Sequence, residues 1–178
     1  GTVENAGMLI WDGGMVTQKS ASTFPNLAAG TLDIRGSDGW EIDFSAPAGS
    51  AVFNNAGTII KSAGALSNIY PTFNNTGMVD VRAGTLTLAR NSSSTGTYTV
   101  ASGAKLSFFF GTHTFASSTS LTGDGDVSFN ESIATLGGNY AVNGSTTVGS
   151  STASGATTLV TFEPGSSAAN FGSQLTIN

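Results

Sequence analysis

The side chains able to do chemistry in this chain are few, and their spacing limits what that chemistry is. His113 is the single histidine, set in Gly111-Thr112-His113-Thr114-Phe115, and there is no cysteine. One imidazole cannot build a multi-histidine metal site. With no thiol and no nucleophile-elbow motif, it also has no recognisable triad to join. Two acid–base pairs stand in matched strings, Leu32-Asp33-Ile34-Arg35 and Val79-Asp80-Val81-Arg82. A glycoside-cleaving pair needs two carboxyl groups about 5 to 10 Å apart in a cleft, one with a raised pKa. Asp33 and Asp80 are separated by 47 positions, so they read as solvated ion pairs with Arg35 and Arg82.

Gly123-Asp124-Gly125-Asp126 has the outline of one corner of a calcium-binding repeat, but the tandem copies that would supply further ligands are missing. Weak Ca2+ binding at Asp124 and Asp126 is the metal chemistry to test, and no other cofactor is implied. Two aromatic residues are candidate ligand contacts. In Phe108-Phe109-Phe110, strand alternation buries the outer two rings with Leu106 and turns Phe109 outward. Trp11 aligns with Lys61 and Val81 and can face either way. An outward aromatic ring can stack on a sugar or meet a partner. The residues that look chemical therefore point to binding, and no catalytic residue is expected.

The elements that hold these residues come from an internal repeat. Phe53-Asn54-Asn55-Ala56-Gly57-Thr58-Ile59 returns twenty residues later as Phe73-Asn74-Asn75-Thr76-Gly77-Met78-Val79. Val3-Glu4-Asn5-Ala6-Gly7-Met8-Leu9 is a worn copy. Ala29-Gly30-Thr31-Leu32-Asp33-Ile34 likewise matches Ala83-Gly84-Thr85-Leu86-Thr87-Leu88. Each unit ends in a short strand of period two, as in Leu86/Leu88, Leu106/Phe108/Phe110 and Val127/Phe129. In a parallel solenoid each coil sits on the one before, so similar residues recur because their surroundings recur.

The sequence therefore predicts an all-β fold, a right-handed parallel β-helix with coils of about 20 residues. The alternative is an antiparallel β-sandwich. Asn5, Asn55 and Asn75 are read as coil-corner residues that tolerate the left-handed conformation and stack as an amide ladder. Gly7, Gly57 and Gly77 are read as corner glycines that permit positive φ.

Composition agrees. The 178 residues include 24 Gly, 24 Ser, 24 Thr and 13 Asn, with only 10% charged, 39% hydrophobic and 11 Phe. So few charges with so many apolar residues argue against disorder and against helix. The net charge is −5, and the six basic residues lie in the first 105 positions without clustering. Nucleic-acid binding is not expected, and neither is membrane insertion. One solenoid domain spanning 1–178 is expected, as a fragment of a longer repeat protein.

The run from Phe73 to Leu88 resembles repeats in very large bacterial surface proteins, the autotransporter-like and filamentous-haemagglutinin-like adhesins. That resemblance implies a secreted or cell-surface stalk or adhesive module and carries over no functional residue. The expected function is thus structural or adhesive, with a glycan or surface partner. A carbohydrate-binding module using exposed aromatics with Ser, Thr and Asn is one alternative, and an ice-binding solenoid is another. Uncapped coil edges would also support end-to-end self-association.

Overall fold

A computed structural model describes residues 3–43, 51–149, 157–170 and 172–178. The chain winds as a stack of coils. The first coil holds β1 (Met8–Trp11), β2 (Val16–Gln18) and β3 (Thr23–Asn26). The second holds β4 (Thr31–Ile34), β5 (Gly39–Ile42) and β6 (Val52–Asn55). The third holds β7 (Thr58–Lys61), β8 (Leu66–Ile69) and β9 (Thr72–Asn75). The fourth holds β10 (Met78–Val81), β11 (Thr85–Leu88) and β12 (Ser92–Ser94).

In the next two coils one long strand turns the second corner. These are β13 (Thr97–Val100) with β14 (Lys105–Phe115), then β15 (Ser120–Gly123) with β16 (Asp126–Leu136). After them come β17 (Asn139–Val142), β18 (Ser145–Gly149) and β19 (Leu159–Phe162), then β20 (Ala168–Asn170) and β21 (Gln174–Ile177). The first strands of the coils stack as one sheet in the order β1-β4-β7-β10-β13-β15-β17-β20. The second and third strands form two further faces, joined where β14 and β16 run through.

Every pairing between named strands is parallel. The fold is a β-solenoid, and the antiparallel sandwich is excluded because its strands would alternate in direction. Along the first face, Met8 pairs with Thr31, then Thr58, Met78, Thr97, Ser120 and Asn139. The intervals are 23, 27, 20, 19, 23 and 19 residues. The sequence repeat is clearest where coils are tightest, between 58 and 97.

Inward residues fill one continuous core. On the third face one inward row reads Phe24, Phe53, Phe73, Ser92, His113, Ala134, Val160, and the next reads Asn26, Asn55, Asn75, Ser94, Phe115, Leu136, Phe162. Phe24 and Phe53 lie 4.9 Å apart and Phe53 and Phe73 5.5 Å. Farther along, Phe108 stacks on Phe129 at 5.2 Å.

The Asn row is a buried amide ladder. Asn5 Nδ2 donates to Asn26 Oδ1 at 2.8 Å, Asn26 to Asn55 at 2.7 Å, Asn55 to Asn75 at 2.8 Å, and Asn75 to Ser94 Oγ at 3.4 Å. Each Nδ2 also donates to a carbonyl of the next coil, namely Thr31, Thr58, Met78 and Thr97 O. Asn26 belongs to this ladder although the sequence comparison passed over it. The ladder expected at Asn5, Asn55 and Asn75 is present, but the left-handed backbone is not, since none of the three has positive φ.

The reason given for Gly7, Gly57 and Gly77 is likewise corrected, because none has positive φ. The constraint is close approach. A Cβ on Gly57 would come within 2.2 Å of Gly30 O, and one on Gly77 within 2.1 Å of Gly57 O. At Gly7, which begins the column, a Cβ would meet nothing.

Replacing Asn55 with Leu removes three hydrogen bonds and leaves Met78 O and Asn75 Oδ1 without their donor. Chemical denaturation should show a loss of about 3 kcal/mol. Asn54→Ala, in the same strand but facing outward, should cost under about 1 kcal/mol. Equal losses at the two positions would refute the ladder's role.

Candidate functional site

The corner between the second and third faces departs from the repeat. Leu88 pairs with Phe108 and Ser92 with His113. Three residues therefore turn this corner in the fourth coil (Ala89 to Asn91) and four in the fifth (Phe109 to Thr112). The sixth coil keeps the extra residue, since Phe129 and Ala134 pair with Phe108 and His113. In both, the added residue is left-handed, with φ of 52° at Phe110 and 51° at Glu131. A bulge of this kind re-aims a side chain.

Phe110 is turned out and 47% exposed, against the expectation that alternation buries it with Leu106 and Phe108. Phe109 is half-buried beneath it, and the two ring centroids are 4.2 Å apart. A bulky residue at positive φ costs about 1–3 kcal/mol, and such strain collects at functional positions. Asn91 holds the bulge, its Oδ1 accepting from Thr112 N at 2.9 Å. Gly111 fits there because a Cβ would lie 2.3 Å from that same Oδ1. The ligand-contact expectation thus shifts from Phe109 towards Phe110. The available signal was a residue count between matched positions, which needs the register to be seen.

Trp11 does not face solvent. It is buried, packs edge-on against Trp40 at 5.7 Å, and donates from Nε1 to Gly14 O at 2.7 Å. Its row partner Lys61 is also inward and fully buried, with Nζ on the carbonyls of Gly36 (2.9 Å) and Ala63. Burial depresses the Lys61 pKa, opposed by the nearby charge of Asp33.

The acid–base pairs form, but they are less solvated than expected, with only 11% of the Asp33 side chain and 14% of the Asp80 side chain exposed. Arg35 Nε donates to Asp33 at 2.7 Å, and Arg82 Nε to Asp80 at 2.6 Å. Ile60 lies between the two aspartates in the row, so they are two rungs, about 10 Å, apart. Burial pushes the Asp33 carboxyl up, but the Ser62 hydroxyl and Arg35 outweigh it and leave it below the usual range. No cleft carboxylate pair results. Asp124 accepts from Asn143 Nδ2 at 2.7 Å, and Asp126 accepts from the Ser145 backbone and hydroxyl at 2.7 and 2.8 Å. Both tie one coil to the next. Among the described residues no three acidic or histidine side chains gather as a metal site.

Ser92 Oγ lies 2.8 Å from His113 Nδ1, a serine–histidine contact that the sequence did not predict. Both groups are inside the core, where no substrate reaches them. A cavity of about 410 Å³ opens at the first coil beside Leu9, Val16, Gln18, Phe24 and Trp40. Its Gln18 already bonds Ser22 O, Val52 O and Trp40 Nε1, so it adds no free polar group to orient a ligand.

No protein-family model, curated protein or solved structure matches this chain. The resemblance to bacterial surface adhesins rests on the repeat residues alone.

Burial drives the His113 imidazole down to about 4, partly offset by a backbone contact at Phe110. The unfolded imidazole titrates near 6.5. Below that pH the unfolded chain takes up a proton that the folded core excludes, so stability is full above about pH 6.5 and falls towards pH 4. The loss from this group is about 3 kcal/mol. His113→Phe should flatten that slope in pH-dependent denaturation, and an unchanged slope would disprove the assignment.

Proposed function

We propose that this chain is a structural and adhesive module of a secreted or cell-surface protein. One observation carries the reading. An outward row on the third face places Asn54, Asn74, Ser93, Thr114, Thr135 and Thr161 on successive rungs, about 4.8 Å apart. Asn74 Nδ2 donates to Asn54 Oδ1 at 2.9 Å, and Ser93 Oγ donates to Asn74 Oδ1 at 2.8 Å. An uncharged file of hydroxyl and amide groups on a stiff support suits repeated weak contacts with a polyhydroxylated surface.

The placement of the ionisable groups supports a non-enzymatic role. Asp33 and Asp80 are neutralised by their own arginines, and His113 is sealed in the core. The ice-binding alternative asks for two Thr files side by side. The neighbouring outward row instead reads Val52, Thr72, Asn91, Thr112, Ile133, Leu159, and Val52, Asn91, Ile133 and Leu159 break the pattern that an ice-binding face needs.

Beads coated with the chain and passed over polysaccharide-coated and matrix-protein-coated surfaces test the proposal. Retention on at least one surface, with no new reducing ends from the polysaccharides, is expected. Release of reducing ends would make the chain an enzyme, and free passage over every surface would remove the adhesive role.

A further inference from the structure

The Phe109–Phe110 corner combines three features that no other corner among the described residues shows together. It has an added residue, that residue is a bulky one held at positive φ, and its ring stands in solvent on a second ring. The sixth coil has the same added residue, yet Glu131 there is buried, with its backbone N–H bonded to Thr158 Oγ1 at 2.8 Å. The bulge therefore does not require an exposed side chain. Nor does it require an aromatic one, so the fold does not account for the ring at 110.

The surroundings suit a particular ligand. Asn91, exposed one rung before the platform, has its Oδ1 committed to Thr112 N and keeps its NH2 as a donor. Asn130, paired with Phe109 on the other side, donates to Ser128 Oγ and keeps its carbonyl as an acceptor. Thr112 presents an exposed hydroxyl. A ring face flanked by an amide donor, an amide acceptor and a hydroxyl, in a corner where Arg90 on the coil before and Glu131 on the coil after carry opposite formal charges, matches a neutral sugar. The apolar face of a pyranose stacks on the aromatic while its rim hydroxyls meet the polar groups.

We infer that Phe110, supported by Phe109 and flanked by Asn91, Thr112 and Asn130, is a binding site for one pyranose unit of an extracellular neutral glycan. This rests on the adhesive reading and gives it a location. A protein partner is the competing occupant, because Ile133 (48% exposed) and Leu159 (52%) follow Thr112 along the next two rungs. The platform's own polar flanks favour the sugar.

The test is calorimetric titration of the whole chain with soluble β-glucan, xylan, mannan and chito-oligosaccharides. Phe110→Gly, Phe110→Trp and Ile133→Ser are titrated alongside. Phe110→Gly adopts φ of 52° without a Cβ penalty, so its melting temperature should equal or exceed that of the parent while affinity falls about tenfold. Should that variant melt early, Phe110→Asn, which also tolerates the left-handed region, replaces it. Phe110→Trp should keep or improve binding, and Ile133→Ser should change it less than twofold.

Equal glycan affinity in parent and Phe110→Gly overturns the site while leaving glycan adhesion intact. Binding lost with Ile133→Ser points to a protein-type contact and overturns it too. Parent chain that ignores all four glycans, yet holds beads on matrix protein, overturns the sugar assignment and leaves the adhesive module standing.

Discussion

The structure depends on one constraint: a polar group inside a closed stack must find its partner within the stack, and for the Asn row that partner lies in the coil above or below. Asn26, Asn55 and Asn75 meet it by giving each amide oxygen a donor from one neighbour and each nitrogen an acceptor on the other. An amide left without its neighbour would cost more than the bond itself contributes. The residue types in one coil thus dictate those in the next, which is why a short motif recurs at all.

Where the ladder ends, the core changes as a unit. The Asn row passes through Ser94 to Phe115, Leu136 and Phe162, while the adjoining Phe row passes through Ser92 to His113 and Ala134. Bulk leaves one row and enters the other, so the interior stays filled. His113 sits at this exchange, with Nε2 buried and unpartnered. The same exchange explains why its contact with Ser92 is structural: both occupy inward positions vacated by phenylalanines.

How much could be read from the sequence depended on how regular each coil was. Phe53-Asn54-Asn55 and Phe73-Asn74-Asn75 are 20 residues apart, and their alignment gave the fold, the ladder and the column of glycines. Asn26 was hidden because Pro25 interrupts its motif and the next coil is 27 residues long. The inward turn of Trp11 and Lys61 could not be read, since a tryptophan and a lysine share a row with valine only when the space inside tolerates it. Phe110 escaped because period-two alternation presumes no bulge. The residues that stack were legible, and the residue that interrupts stacking was not.

The two hydrogen-bonded files also have direction. In the inner ladder each amide nitrogen points to the following coil, fixed by its second bond to a carbonyl there. In the outer file the donors point back, from Ser93 to Asn74 to Asn54. Each file is a line of aligned dipoles, and the two lines oppose one another across the thickness of a single strand. Over the coils that carry both, from Asn54 and Asn55 to Ser93 and Ser94, their axial fields oppose one another. From Asn5 to Asn55, by contrast, the inner ladder runs with Pro25 on the outer side of its rung and its dipole unopposed there.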